Sequence, residues 1–264
     1  MHTTKPFNWK IFFILLAGSV FGVIAILPYI LDLQADTLAK LALPIPMPVL
    51  IFLQVLQNAI LFAVAIWVGL FLANRISLGL PILEAKLAGE SVAARLKAIL
   101  LPSILLGVAA SILIIVLDQF IFRPGLLAQL GSENLLKFQT AEPAAWKGLL
   151  ASFYGGIDEE ILLRLFLFTT LAWLGKFVSH TSEGRPTLPV LWIANIATAI
   201  VFGLGHLPAT AMLIPLTPLV ILRAIVLNGL AGVVFGYLYW TRGLESAMLS
   251  HFSADIVLHV LLTL

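Results

Sequence analysis

Apolar runs of about twenty residues or more, parted by short polar stretches, recur along the whole chain. Roughly twenty apolar residues in a helix cross the hydrocarbon core of a bilayer. Runs of that length are expected as spans over residues 9–31, 47–72, 101–122, 146–174, 188–213, 219–240 and 244–264. Residues 81–100 read differently. Glu84, Lys86, Glu90, Arg95 and Lys97 alternate there with apolar residues, the pattern of an amphipathic helix lying on the membrane surface. The expected fold class is therefore all-α, a polytopic membrane helical bundle of about seven to eight transmembrane helices. Residues 1–145 supply the N-terminal helices and the surface segment, and 146–264 a functional core, within one integrated bundle.

Composition agrees with this pattern. Of 264 residues, 61% are hydrophobic and only 11% charged, with a mean hydropathy of +1.09. A soluble domain carries about 25% charged residues. No basic cluster or aromatic–basic pattern points to nucleic acid. Cysteine is absent, which excludes disulfides, thiolate zinc sites and cysteine nucleophiles together. The basic residues suggest orientation. With the N-terminus cytoplasmic, Lys5, Lys10, Arg75, Lys86, Arg95, Lys97, Lys176, Arg185 and Arg242 lie inside, against Lys40, Arg123, Lys137 and Lys147 outside. The positive-inside rule favours that arrangement of a multi-pass protein of the cell membrane.

Three polar stations interrupt the apolar spans. The first, Asp158-Glu159-Glu160 with Arg164, lies mid-span behind Gly155-Gly156. Unpaired at a bilayer centre, four such groups cost roughly 10–14 kcal/mol on insertion scales, so pairing, hydration or a function is required. Glu160 and Arg164 are spaced four apart for an ion pair. Glu159 points about 100° away and is free to face something else. The second station is Phe202 and His206, one turn apart, so that the ring can pack against the imidazole. His206 lies about 27 Å along an ideal helix begun at Leu188. Tilt, or a break at Gly203 and Gly205, is needed to bring it level with the acids. In the third station Asp255 follows His251 by one turn, where a carboxylate can orient the imidazole; His259 continues the stripe. Ser253 points away from both, so no acyl-enzyme nucleophile accompanies the histidines.

Glu159-Glu160-x-x-x-Arg164, Phe202-x-x-x-His206 and His251-x-x-x-Asp255, in that order on separate helices, resemble the CPBP family, the CAAX-protease and bacteriocin-processing (Abi) membrane proteases. The glycine-rich run from Asn228 into the turn at Gly243 is also similar to that family. The resemblance covers about residues 150–259 and implies an intramembrane endopeptidase of the glutamate type. By that analogy Glu159 activates water, His206 helps to hold it, and His251 and Asp255 stabilise the tetrahedral oxyanion. Glu160, Arg164 and Phe202 are supporting residues. The family has Asn or Asp at position 255, and often Gly where this chain has Leu165. An ionised Asp cannot donate to an oxyanion as an Asn amide can.

The implied partners are the lipid bilayer and a membrane-associated peptide or protein substrate. No cofactor is implied. A zinc-dependent variant using Glu159, His206 and His251 as ligands is the alternative. A non-catalytic immunity or scaffold protein of the same fold, or a proton-coupled transporter, would use similar residues differently. Nothing in the sequence reads as a prenyl pocket.

Overall fold

The structure, a computed structural model, describes residues 6–35, 38, 45–140 and 143–264, the side chains of 133–140 excepted. Of the residues used above for orientation, Lys5, Lys40 and the side chain of Lys137 lie outside the described residues. Among those described there is no strand. Helices α1 (Trp9–Ala25) and α2 (Leu27–Leu33) meet at a bend before Pro28, and α3 (Met47–Ile76) follows. The short α4 (Pro81–Leu87) leads to α5 (Ala93–Leu117), which runs through a π-helical turn, Asp118–Phe122, into α6 (Arg123–Thr140). Helix α7 (Ala145–Phe153) continues unbroken through two π-helical stretches, Tyr154–Glu159 and Ile161–Phe168, into α8 (Thr169–Gly175). Then come α9 (Leu188–Gly205), α10 (Leu207–Ala211), α11 (Pro218–Arg242) and α12 (Leu244–Asp255), the last extended by a π-helical turn at Ile256–Val260.

Six of these units are long and apolar enough to cross a membrane: Trp9–Leu33, Met47–Ile76, Ala93–Ser132, Leu188–Ala211, Pro218–Arg242 and Leu244–Thr263. The α7–α8 helix has the length of a span, but its four central charges lower its apolarity. The chain is thus a polytopic helical bundle. The surface helix expected over 81–100 is shorter than its charge pattern suggested. Gly89, at φ +80°, ends α4 soon after Leu87, and residues 93–100 form the first turns of α5. Arg95 decorates that end, donating to Pro81 O at 2.7 Å and pairing with Glu90 at 2.9 Å. The third span therefore begins eight residues before the expected 101.

Small residues set the closest helix approaches. Gly232 and Gly236 of α11 receive Ala199 and Asn195 of α9, and Asn195 Nδ2 donates to Val233 O at 3.0 Å. Asn195 is therefore a helix-packing residue. Gly69 of α3 takes Leu165; a Cβ there would meet Leu165 O at 2.6 Å and Cγ at 2.7 Å. Asp118 and Arg223 join α5 to α11 through two charge-assisted hydrogen bonds of 2.6 and 2.8 Å. The large apolar side chains left exposed, such as Phe52, Ile60, Leu101 and Ile193, face outward where lipid would cover them.

Candidate active site

The charged station is built on the irregular part of α7–α8. Glu160 is the single α-helical residue between the two π-helical stretches, a kind of irregularity that recurs at functional sites. Glu160 and Arg164 are both fully buried, with Arg164 Nη1 3.0 Å from Glu160 Oε1. Arg164 Nη2 donates to Gly232 O at 3.0 Å, and its guanidinium carbon lies 5.1 and 5.4 Å from the ring centres of Phe202 and Phe235. A carboxylate, a carbonyl and two ring faces thus compensate the burial of this cation.

Glu160 also reaches the third station. Its Oε1 lies 2.7 Å from His251 Nδ1. The carboxylate that fixes this imidazole is therefore Glu160, not Asp255 as the one-turn spacing on α12 suggested. Asp255 Oδ1 is 3.7 Å from the other ring nitrogen, Nε2, beyond hydrogen-bond reach. Glu159 Oε2 lies 3.5 Å from the same Nε2. Glu159 and Asp255, with a quarter and about an eighth of their side-chain surface exposed, flank the open side of the ring. Phe235 stacks on the imidazole at 4.5 Å and Phe202 meets it edge-on at 5.5 Å.

The second station joins this cluster through Phe202, whose ring also meets His206 at 4.8 Å and 80°. Phe202 is therefore wedged between the two histidines. Helix α9 ends at Gly205, and His206 stands at the break before α10, with Nδ1 2.9 Å from Phe202 O. A break, one of the two expected solutions, places the imidazole at a helix end. A bond from Nδ1–H to a carbonyl leaves Nε2 of a neutral ring as an acceptor.

Gly155 explains how α12 comes so close. A Cβ at that position would collide with Asp255 Oδ2 and lie 3.1 Å from His251 Nε2. Asp158, in contrast, turns away from the cluster. It is fully buried against Gly22 of α1, with Ser19 as its polar neighbour. His259 meets Tyr29 edge-on at 5.9 Å. Phe235, on α11, is not among the residues that the sequence singled out. The signal available was its place between Gly232 and Gly236 on that helix. Among the described residues no group of three His, Asp or Glu has the spacing of a metal site.

The cluster lies within a stretch that resembles a known family. Residues 140–257 match the family model described as Type II CAAX prenyl endopeptidase Rce1-like. Over that range the chain is similar to the CAAX-protease family. The matched range holds Glu159, Glu160, Arg164, Phe202, His206, His251 and Asp255, so this Rce1-like domain includes the whole cluster. No curated protein and no solved structure matches the chain. With its six candidate spans, the chain is accordingly an integral, multi-pass membrane protein, similar over residues 140–257 to a membrane-protease family.

Proposed function

We propose that the chain is an intramembrane endopeptidase in which Glu159 activates a water molecule for attack on a peptide bond. The observation that carries this reading is the grouping of Glu159 and Asp255 about His251 Nε2, at 3.5 and 3.7 Å, while Glu160 holds Nδ1 at 2.7 Å. Glu159 is the less buried of the two adjacent glutamates and the one not bound to Arg164, as a proton-accepting base requires. In this reading His206, whose Nδ1 is engaged by Phe202 O, holds the water through Nε2.

Attack by water forms a C–O bond and moves one water proton to Glu159. The carbonyl becomes an oxyanion, and His251 Nε2 is the nitrogen turned toward it. With Nδ1–H engaged by Glu160, the form that also donates from Nε2 is the imidazolium, and three carboxylates surround it to balance its charge. Collapse breaks the C–N bond, and the proton held by Glu159 passes to the leaving amine. Asp255 acts chiefly by setting the field around His251. The substrate is a peptide or protein segment at the membrane, and the reaction as written uses no cofactor.

The test is cleavage of a membrane-embedded peptide by the purified chain in proteoliposomes made with ¹⁸O-labelled water. One labelled oxygen is expected in the new carboxylate. Asp255→Asn is expected to lower the rate in a folded protein; retained or raised activity contradicts the assigned role and favours direct contact of position 255 with the oxyanion. A chelator is expected to leave the rate unchanged, whereas inhibition reversed by zinc would replace this mechanism with the metal-dependent one.

A further inference from the structure

At the opposite end of α8 from the acidic station, five segment ends enclose a polar basin of about 860 Å³. They are the start of α1 at Asn8, the end of α3 at Arg75, the end of α8 at Lys176, the loop at Arg185 and the end of α11 at Arg242. Four cations, Arg75, Lys176, Arg185 and Arg242, line it against two acids, Glu84 and Glu183. Both acids have partners. Glu84 Oε1 accepts from Leu80 N at 3.3 Å, and Glu183 accepts from Ser182 at 2.9 Å; hydrogen bonds from Thr181 and Ser182 hold its carboxyl below the ordinary range, with Arg185 a smaller contributor. No ion pair among the described residues includes Arg75, Lys176 or Arg242. Arg75 spends one nitrogen on Phe71 O and Arg242 one on Ala98 O, leaving further N–H donors on each guanidinium.

A second observation says what kind of ligand this charge suits. Two of the cations, Arg75 and Lys176, rest on exposed rings. The Arg75 guanidinium lies 3.3 Å from the centre of the Phe71 ring, which is 40% exposed and stacks on the exposed Trp67. Lys176 lies 5.4 Å from Phe177, which is 66% exposed. At the start of α1, the exposed Trp9 packs edge-on against Phe7 of the basin wall. Aromatic rings at this level mark the boundary between headgroups and acyl chains. The basin is thus continuous with apolar surface on which acyl chains can lie.

We propose that the basin binds the phosphate headgroup of an anionic phospholipid, with the acyl chains against the Trp67–Phe71 face. Guanidinium groups pair with phosphate in fixed geometry, and an unpaired cluster at a membrane face attracts anionic lipid. The basin floor also touches the catalytic framework. Tyr239, 1% exposed, lies 2.7 Å from Thr169 Oγ1, which donates to Arg164 O at 3.1 Å. Thr169 has one hydrogen to give, so the Tyr239 hydroxyl donates to it.

The experiment is native mass spectrometry of the full chain in detergent, titrated with phosphatidylglycerol or phosphatidylcholine. The wild type is expected to retain phosphatidylglycerol at least about tenfold better. Arg75→Gln/Lys176→Gln/Arg242→Gln is expected to lose that preference. Lys10→Gln/Lys86→Gln/Lys97→Gln, which removes the same charge from basic residues outside the basin, is expected to keep it. Lys176→Gln alone, whose side chain makes no hydrogen bond among the described residues, is expected to weaken retention about threefold and guards against misfolding of the triple variant. No wild-type preference, or equal loss in both triple variants, overturns the proposal. Displacement by glycerol 3-phosphate at concentrations matching the lipid overturns it too, since the ligand would then be a free phosphate rather than a lipid.

Discussion

At the level of single residues, the cluster turns on Glu160. One carboxylate oxygen lies 3.0 Å from Arg164 and 2.7 Å from His251, inside a fully buried environment. Removing one partner of a buried pair leaves the other uncompensated, at a cost of about 3–5 kcal/mol. Glu160→Gln is therefore expected to lower the thermal unfolding midpoint well below that of Glu159→Gln, whose partly exposed side chain is bound less tightly. Gly155→Ala is expected to behave in the opposite way. The added Cβ meets the far end of a side chain, the Asp255 carboxyl, which can swing aside. Activity should fall about tenfold or more by displacement of a group near the reacting atoms, while unfolding changes by less than about 1 kcal/mol. A Gly155→Ala protein of full activity would remove Asp255 from the site. Pairs set by local spacing were legible in the sequence: Glu160 with Arg164, and Phe202 with His206. The Glu160–His251 contact was not, because it joins residues 91 positions apart, and neither helix alone carries its register. Asp158 illustrates the same limit. It reads as one of three acids, yet helix rotation sends it into α1.

Among the elements, two irregularities bring the polar stations together. The π-helical stretches around Glu160 present Glu159 and Glu160 on adjoining sides of one helix, and the end of α9 at Gly205 brings His206 to the cluster. Sequence spacing required tilt or a break for His206, and Gly203-Leu204-Gly205 before Pro208 marked where a break could fall. The limits of α5 were less legible because Arg95 and Lys97 resemble a surface helix until Gly89 is seen to stop α4. The meeting of α3 with the π-helical stretch Ile161–Phe168 depends on Gly69, where this chain places Leu165 after the motif arginine. A Cβ at Gly69 would press on backbone, which cannot swing aside. Gly69→Ala is accordingly expected to destabilise the protein by about 1–3 kcal/mol, read as a lowered unfolding midpoint in detergent.

For the whole molecule, the number of spans follows from apolar length, and the charged helix was counted as a span from its flanks despite its centre. The ends of α1, α3, α8 and α11 that were expected on one side of the membrane do meet there, around the basic basin. The inside-out sense is an expectation from the basic residues. The chain has no cysteine, so single introduced thiols report it cleanly. Glu183→Cys should react with an impermeant maleimide only in inverted vesicles, and labelling from the outside of intact cells would reverse the orientation. The central claim, that Glu159 is the base of a membrane endopeptidase, is tested most directly by mapping new protein termini in membranes of cells producing the wild type or Glu159→Gln. A set of cleaved termini present with the wild type and absent with an equally abundant, folded Glu159→Gln protein is the expected result. Identical termini in both would contradict it.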